Sequence, residues 1–207
     1  MRIVIAITGA SGVAYGIDLL RQLRELGVER HLVLSQWAEA TIAKETKLSA
    51  REVGAMASTV HSRTNVGAEI ASGSFRHDGM IVAPCSMKTL AAIRFGYSDG
   101  LIPRAADVTL KERRRLVLMP RETPLNDIHL ENMLALSRMG AVICPPMPAF
   151  YANPETIDDL IEQTSARVLE LFGLEAPGLR RWSGMRPDSP PAVVRPLAVR
   201  KGDRDER

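Results

Sequence analysis

Aromatic residues make up only 4% of these 207 residues, and cysteine occurs twice. So few rings exclude a single-strand nucleic-acid surface built from stacked aromatics. Cys85 and Cys144 each close an apolar run and show neither disulfide-framework nor metal-type spacing. They read as reduced core thiols of a cytoplasmic protein, with no redox or nucleophilic role. No apolar run approaches the ~20 residues of a membrane span. The N-terminus enters a strand directly, without the regions of a secretory leader. Charge is also scarce in net terms. Of the formal +3, residues 186–207 carry six Lys/Arg against four Asp/Glu, leaving a nearly neutral body of 21 against 20. Any positive potential in the body must therefore be local. Metal chemistry has no sequence pattern either. His31, His61, His77 and His129 are scattered and read as structural or surface residues, and Asp158-Asp159 is followed by Leu-Ile-Glu, not by the spacing that holds Mg²⁺ on a diphosphate. The expectation is a protein with no metal, no membrane and no nucleic-acid partner.

The chain has instead an alternation of strand-like and helix-like segments. Strands read at 2–7, 29–34, 79–84, 116–120 and 141–144, as short continuous apolar runs of the kind buried on both faces of a parallel sheet. Helices read near 12–26, 37–46, 50–57, 87–95, 105–114, 124–139 and 155–172. Ser49-x-x-Glu52 is a capping box, Thr123-Pro124 and Asn153-Pro154 pair an N-cap with proline, and Gly27, Gly140 and Gly173 follow helix ends. The fold expected is a doubly wound α/β parallel sheet, a Rossmann-like or flavodoxin-like three-layer sandwich with ligands at the carboxyl ends of the strands. It would occupy residues 1–185. The tail 186–207, rich in proline and then in charge, reads as flexible or draped on a neighbouring subunit.

Chemistry-bearing residues fall where strands end. Thr8-Gly9-Ala10-Ser11-Gly12 links the first strand to a helix, placing unpaired amide N–H groups and a helix dipole where a phosphate could sit. The spacing Gly9-x-x-Gly12-x-x-x-Gly16 is not the dinucleotide fingerprint, and the second strand ends at Ser35, where a ribose-binding enzyme wants an acid. A ribityl chain or mononucleotide suits that hydroxyl better. The same glycines also fit a turn needed only for tight strand–helix packing. After the third strand, Ser86, Met87, Lys88 and Thr89 form a second anion- or flavin-contact loop, although Ser and Thr are also ordinary N-caps. Arg121 and Glu122 follow the next strand, and Pro145-Pro-Met-Pro-Ala-Phe-Tyr151 forces an extended path to Tyr151. In the last helix Ile157, Leu160, Ile161, Thr164, Val168 and Leu171 form the expected buried stripe. Arg167 on its border either snorkels to water or meets an anion. Lys111, in Lys111-Glu-Arg-Arg-Arg115, reads by default as part of a solvated face. The loops together are expected to gather Lys111, Arg121, Tyr151 and Arg167 with Glu122 at one edge, a site for a small phosphorylated ligand beside a phosphate-bearing cofactor.

Thr8-Gly-Ala-Ser-Gly12, Cys85-Ser-Met-Lys-Thr-Leu90, Arg104-Ala-Ala-Asp107, Lys111-Glu112, Pro120-Arg-Glu-Thr-Pro-Leu125, Ile128-His-Leu-Glu-Asn-Met-Leu134 and the Pro145–Tyr151 segment together resemble the UbiX-type flavin prenyltransferases. The chain is most similar to the branch named after the phenolic (hydroxyarylic) acid decarboxylases, as their second subunit. The resemblance spans roughly residues 1–185. It implies that reduced FMN is alkylated at N5 and C6 by dimethylallyl monophosphate without metal, and that the product serves a partner UbiD-type decarboxylase. It implies FMN contacts from Gly9, Ala10, Ser11, Ser35, Ser86, Met87, Lys88, Thr89 and Arg121. Lys111, Arg121, Tyr151 and Arg167 would hold the prenyl phosphate, with Trp182 near the prenyl pocket. Ser11, Glu45, Glu122 and Lys111 would serve the chemistry: Ser11 near flavin N5, and Glu122 or Glu45 passing a proton to the departing phosphate. A homo-oligomer, of dodecamer size by resemblance, is also implied, with Arg167 or Trp182 acting across a boundary. Two other readings remain. A flavin-dependent cysteine decarboxylase would need a Pro-x-Met-Asn segment, where this chain has Pro146-Met-Pro-Ala. A non-catalytic flavin carrier or assembly subunit would need the flavin loops but not Lys111, Glu122, Tyr151 and Arg167.

Overall fold

The computed structural model describes residues 1–185; the tail 186–207 lies outside the described residues. Six parallel strands, β1 (Arg2–Ile7), β2 (Glu29–Leu34), β3 (Thr59–His61), β4 (Gly79–Cys85), β5 (Arg115–Pro120) and β6 (Val142–Ile143), form one sheet in the order β3-β2-β1-β4-β5-β6. The helices are α1 (Val13–Glu25), α2 (Gln36–Glu45), α3 (Ala50–Gly54), α4 (Met87–Arg94), α5 (Leu101–Lys111), α6 (Asp127–Arg138) and α7 (Ile157–Glu170), with single 3₁₀ turns at Glu69–Ala71 and Phe150–Ala152. The fold is the expected doubly wound three-layer sandwich, in the Rossmann strand order.

Alternate residues of the central strands build two cores. Ile3, Ile5, Ile7, Ile81 and Val117 pack with α1 and α7 residues such as Leu19, Leu20 and Val168. Val4, Ala6, Met80, Val82 and Leu118 face the opposite layer with Leu90, Leu101, Ala105 and Leu136. Burial on both faces is why these strands read as unbroken apolar runs. The strand order reverses direction between β1 and β4, and the loops leaving those two strands open the crevice where such sheets bind ligands.

Several boundaries differ from the sequence expectation. β3 has only three residues, Thr-Val-His, too few and too polar to announce a strand. α5 starts at Leu101 rather than near 105, with Pro103 tolerated in a first turn whose N–H groups have no helical partner anyway. Thr123-Pro124 does not cap α6. Asn126 does, accepting the His129 N–H. Asn153-Pro154 likewise gives way to Thr156 with Asp159, a reciprocal capping box three residues on. Both prolines sit in the approach to their helices. The capping box at Ser49 and Glu52 is present, and Gly27, Gly140 and Gly173 take positive φ after their helices. The face of α7 is rotated from the expected stripe. Gln163, Ser165, Ala166, Val168 and Leu169 are buried, whereas Ile157 is 75% exposed. Small Ser165 and Ala166 admit the close approach of α1, which places Asp18 and Gln22 of that helix beside α7.

Candidate active site

Three turns of the carboxyl edge meet at the switch point. Thr8, at the end of β1, is buried and donates its hydroxyl to the Pro84 carbonyl at 2.7 Å while accepting the Ser86 N–H at 2.8 Å. One side chain thus fastens the Gly9–Ser11 turn to the Ser86–Thr89 turn. Sequence reading passed over Thr8, although a polar residue closing an unbroken apolar strand was a signal for it. The glycines around it have steric reasons. A Cβ on Gly9 would lie 2.2 Å from Trp37 Cβ, and one on Gly16 would lie 2.3 Å from the Ala83 carbonyl. Gly12 takes φ +96° at the α1 N-cap. The packing role and the ligand-turn role are therefore compatible at this motif.

The N-terminus of α1 already holds an anion. Glu45, the last residue of α2, accepts the N–H groups of Gly12 at 2.8 Å and Val13 at 3.2 Å. The dipole and unpaired amides that sequence reasoning assigned to a ligand phosphate hold this carboxylate instead. Ser11 lies half-buried beside it. Ser35 caps α2 by accepting the Ala38 N–H at 3.0 Å, and Ser86 caps α4 by accepting the Thr89 N–H at 3.3 Å. Both hydroxyls do the ordinary N-cap work. Met87, Lys88 and Thr89 form the first turn of α4, with Lys88 exposed.

One strand over, Arg121 and Glu122 leave β5 exposed, the Arg121 N–H tied to the Cys85 carbonyl and the Glu122 carboxylate accepting the Thr123 N–H. Beyond the neighbouring β6, burial pushes the Cys144 thiol up, and the Arg167 guanidinium nearby opposes that shift. Arg167 thus lies close to the carboxyl end of β6, exposed and paired with Glu170 at 2.8 Å. Glu170 also takes Arg181 at 2.7 Å, and this pair of cations holds its carboxyl below the usual range. Cys85 is fully buried and its thiol is pushed far up by desolvation, so neither cysteine is poised as a nucleophile.

Tyr151 and Trp182 meet edge to face, ring centroids 5.8 Å apart. Two residues missed in the sequence produce that contact. Gln163 grips the Arg180 backbone through both its amide atoms, at 2.8 and 2.9 Å, and the Arg180 guanidinium donates to the Ala152 carbonyl. The chain after α7 is thereby folded back onto the Phe150–Ala152 turn.

Lys111 does not join this group within one protomer. It ends α5, whose chain runs directly into the start of β5, and its ammonium pairs with Glu112 beside Gly73. That is the amino edge of the sheet, opposite the loops carrying Ser11, Ser86 and Arg121. The expectation of a single cluster including Lys111 is corrected accordingly, because a crossover helix returns its C-terminus to the edge where the next strand begins.

A flavoprotein family model matches residues 1–169. A UbiX-like flavin prenyltransferase of Streptomyces sp. (strain D7) is 61% identical over 187 residues, covering 90% of this chain and 94% of that protein. The crystal structure of AnUbiX (PadA1) in complex with FMN and dimethylallyl pyrophosphate superposes with a TM-score of 0.88 at 57% identity, over 89% of this chain and 98% of that one. A dodecameric FMN-dependent UbiX-like decarboxylase from Escherichia coli O157:H7 gives the same TM-score at 60% identity, over 89% and 100%. The matching family model and the Rossmann-type sheet make this an α/β flavoprotein. Within that class, the chain belongs to the UbiX-like flavin prenyltransferases.

Proposed function

We propose that this chain transfers the dimethylallyl group of dimethylallyl monophosphate to N5 and C6 of reduced FMN, without a metal, and that the prenylated flavin passes to a UbiD-type aromatic acid decarboxylase. The observation that carries this reading is the Thr8 staple. It sets the Gly9–Ser11 turn and the α4 N-terminus side by side at the switch point, with Arg121 and Glu122 on the next strand. These groups fit a planar, phosphate-bearing ligand: bare backbone at Gly9, hydroxyls at Ser11, Ser35 and Thr89, and amides at a helix N-terminus. Since Glu45 occupies the first amides of α1, the flavin phosphate goes to Ser86–Thr89 with Lys88 and Arg121. Gly9 and Ala10 lie against the flavin, Ser11 directs its hydroxyl toward N5, and Ser35 meets the ribityl chain.

Arg121, Tyr151 and Arg167 hold the prenyl phosphate. Preorganised cations lower the barrier by neutralising charge that builds on the departing group. Glu45 is committed to two amides, so Glu122 is the carboxyl that exchanges a proton with that phosphate. Trp182 and Tyr151 wall the prenyl group. Lys111 reaches this site only from a second copy of the chain, which is consistent with a homo-oligomer of dodecamer size. Ile128 and Leu134 of α6, Met147, Phe150 and Ile157 leave an apolar surface that such an assembly would cover. The assembly is assigned to the cytoplasm. Among the described residues no helix is long and apolar enough to cross a membrane.

The direct test is to denature the purified protein, identify the released chromophore, and titrate the holoprotein with dimethylallyl monophosphate. FMN and saturable binding of the monophosphate support the proposal. FAD, or no binding of either the monophosphate or the pyrophosphate, overturns it.

A further inference from the structure

Two of the histidines that are scattered in sequence meet in space. His31 on β2 and His61 on β3 point from the same face of neighbouring parallel strands, since His31 is registered with Thr59 and Val33 with His61. Their rings stack with centroids 5.2 Å apart, and His31 Nδ1 lies 2.9 Å from His61 Nε2. Glu69, from the 3₁₀ turn Glu69–Ala71, brings a carboxylate oxygen to 3.5 Å from the same His31 Nδ1. One donor atom from each of the three lies within 4.8 Å of the others.

The outer bonds orient this cluster. His31 Nε2 sits 2.8 Å from the Glu29 carboxylate, which Arg2 holds in turn at 2.9 Å. A histidine that donates Nε2–H to a carboxylate presents Nδ1 as a bare lone pair, the arrangement that orients ligating imidazoles in metal sites. That lone pair faces His61 Nε2 at 2.9 Å, and the Glu69 carboxylate approaches the same nitrogen at 3.5 Å. A cation bound among the three would replace the direct contact between the two rings. His31 is 2% exposed, His61 half-buried and Glu69 exposed, so the open side of the cluster faces solvent. The two nitrogens, 2.9 Å apart, reach an ion about 2.05 Å from each once the half-buried His61 ring turns its lone pair off the line between them. Rotation of the exposed Glu69 side chain closes the third bond.

We infer that His31, His61 and Glu69 form a binding site for a divalent transition ion of the zinc, cobalt or nickel type, with Glu29 as the carboxylate that orients His31. Two imidazoles and one carboxylate suit such borderline ions better than Mg²⁺ or Ca²⁺. The ion would brace the three-residue edge strand β3 to β2 and to the Glu69 turn. It belongs to none of the loops that serve the flavin, so the site does not depend on the proposed reaction.

Cobalt titration of the chelator-treated holoprotein tests this, followed by visible absorption and metal analysis, with zinc as competitor. One Co²⁺ per chain, displaced by Zn²⁺, is expected, together with a rise in melting temperature that chelator reverses. His61→Gln should weaken binding at least a hundredfold. Glu29→Gln, which leaves all three ligands in place, should weaken it ten- to a hundredfold, an effect that loss of general surface affinity would not produce. His61 and Glu69 are not core residues, so their variants fold, and circular dichroism checks that they do. Cobalt bound equally well by wild type, His61→Gln and Glu69→Gln, or not bound saturably at all, overturns the inference.

Discussion

At the scale of single residues, two hydroxyls near the switch point have opposite jobs. Thr8 is wholly engaged with Pro84 and Ser86, so Thr8→Val takes the partner from the half-buried Ser86 N–H, while the Pro84 carbonyl keeps only the Thr8 backbone N–H. The expected loss is about 1–3 kcal/mol of stability, with weaker FMN binding, measured by chemical denaturation and flavin titration. Ser11 holds up no comparable contact, so Ser11→Ala should keep both stability and flavin while slowing prenylation on the order of 10²-fold in a single turnover. Wild-type rates in that variant would remove Ser11 from the chemistry. Arg167→Ala should likewise keep FMN and lose donor affinity ten- to a hundredfold, the effect of one charge-assisted bond of about 1.5–3 kcal/mol. Lys at 167 should rescue only in part, because the bidentate fork is gone. If Arg167→Ala instead sheds FMN and binds the donor normally, the division between flavin and prenyl-phosphate groups is wrong. What these residues touch was only partly legible in the sequence. Residue types at strand ends announced Ser11, Ser86 and Arg121. No local pattern could announce that Glu45 would reach across from α2 to the amides of Gly12 and Val13, since side-chain bonds between elements 33 residues apart leave no periodicity.

At the scale of elements, continuous apolar runs gave away the central strands because both sheet faces are covered. β3 escaped because a three-residue edge strand buries little. The face of α7 escaped for a different reason. Large aliphatics at Ile157, Leu160 and Ile161 suggested a core stripe, yet the buried face runs through Gln163, Ser165, Ala166, Val168 and Leu169, and Ile157 is left exposed. That packing buries Asp18, whose carboxyl is pushed up by desolvation, against a weaker opposing hydrogen bond from Gln22. A carboxyl raised above its unfolded value favours the fold at low pH, and the contribution fades as pH rises through the folded value. At neutral pH the charged Asp18 is therefore a cost, and Asp18→Asn should raise the melting temperature. The gain should shrink as pH falls below the ordinary carboxyl range. A variant less stable than wild type at pH 7 would show that the Gln22 bond outweighs the desolvation.

At the scale of the whole molecule, the amino-edge position of Lys111 is the most consequential departure from a site assembled within one protomer. The sequence pattern around Lys111 suggested the right chemistry but could not say on which edge of the sheet, or in which subunit, it would act. If Lys111 serves a neighbouring copy's phosphate, mixing Lys111→Ala chains with Arg167→Ala chains at low donor concentration, where each alone is impaired, should restore part of the activity, because some boundaries then carry one intact site. No recovery after verified subunit exchange would place Lys111 outside the reaction. The central claim is that this chain alone, without metal, joins a prenyl group to reduced flavin. It is tested most directly by anaerobic single turnover of the purified protein with reduced FMN and dimethylallyl monophosphate in the presence of chelator. Mass spectrometry of the released flavin should show one added dimethylallyl unit, with stoichiometric phosphate. Unmodified FMN recovered from protein saturated with both compounds would contradict the account.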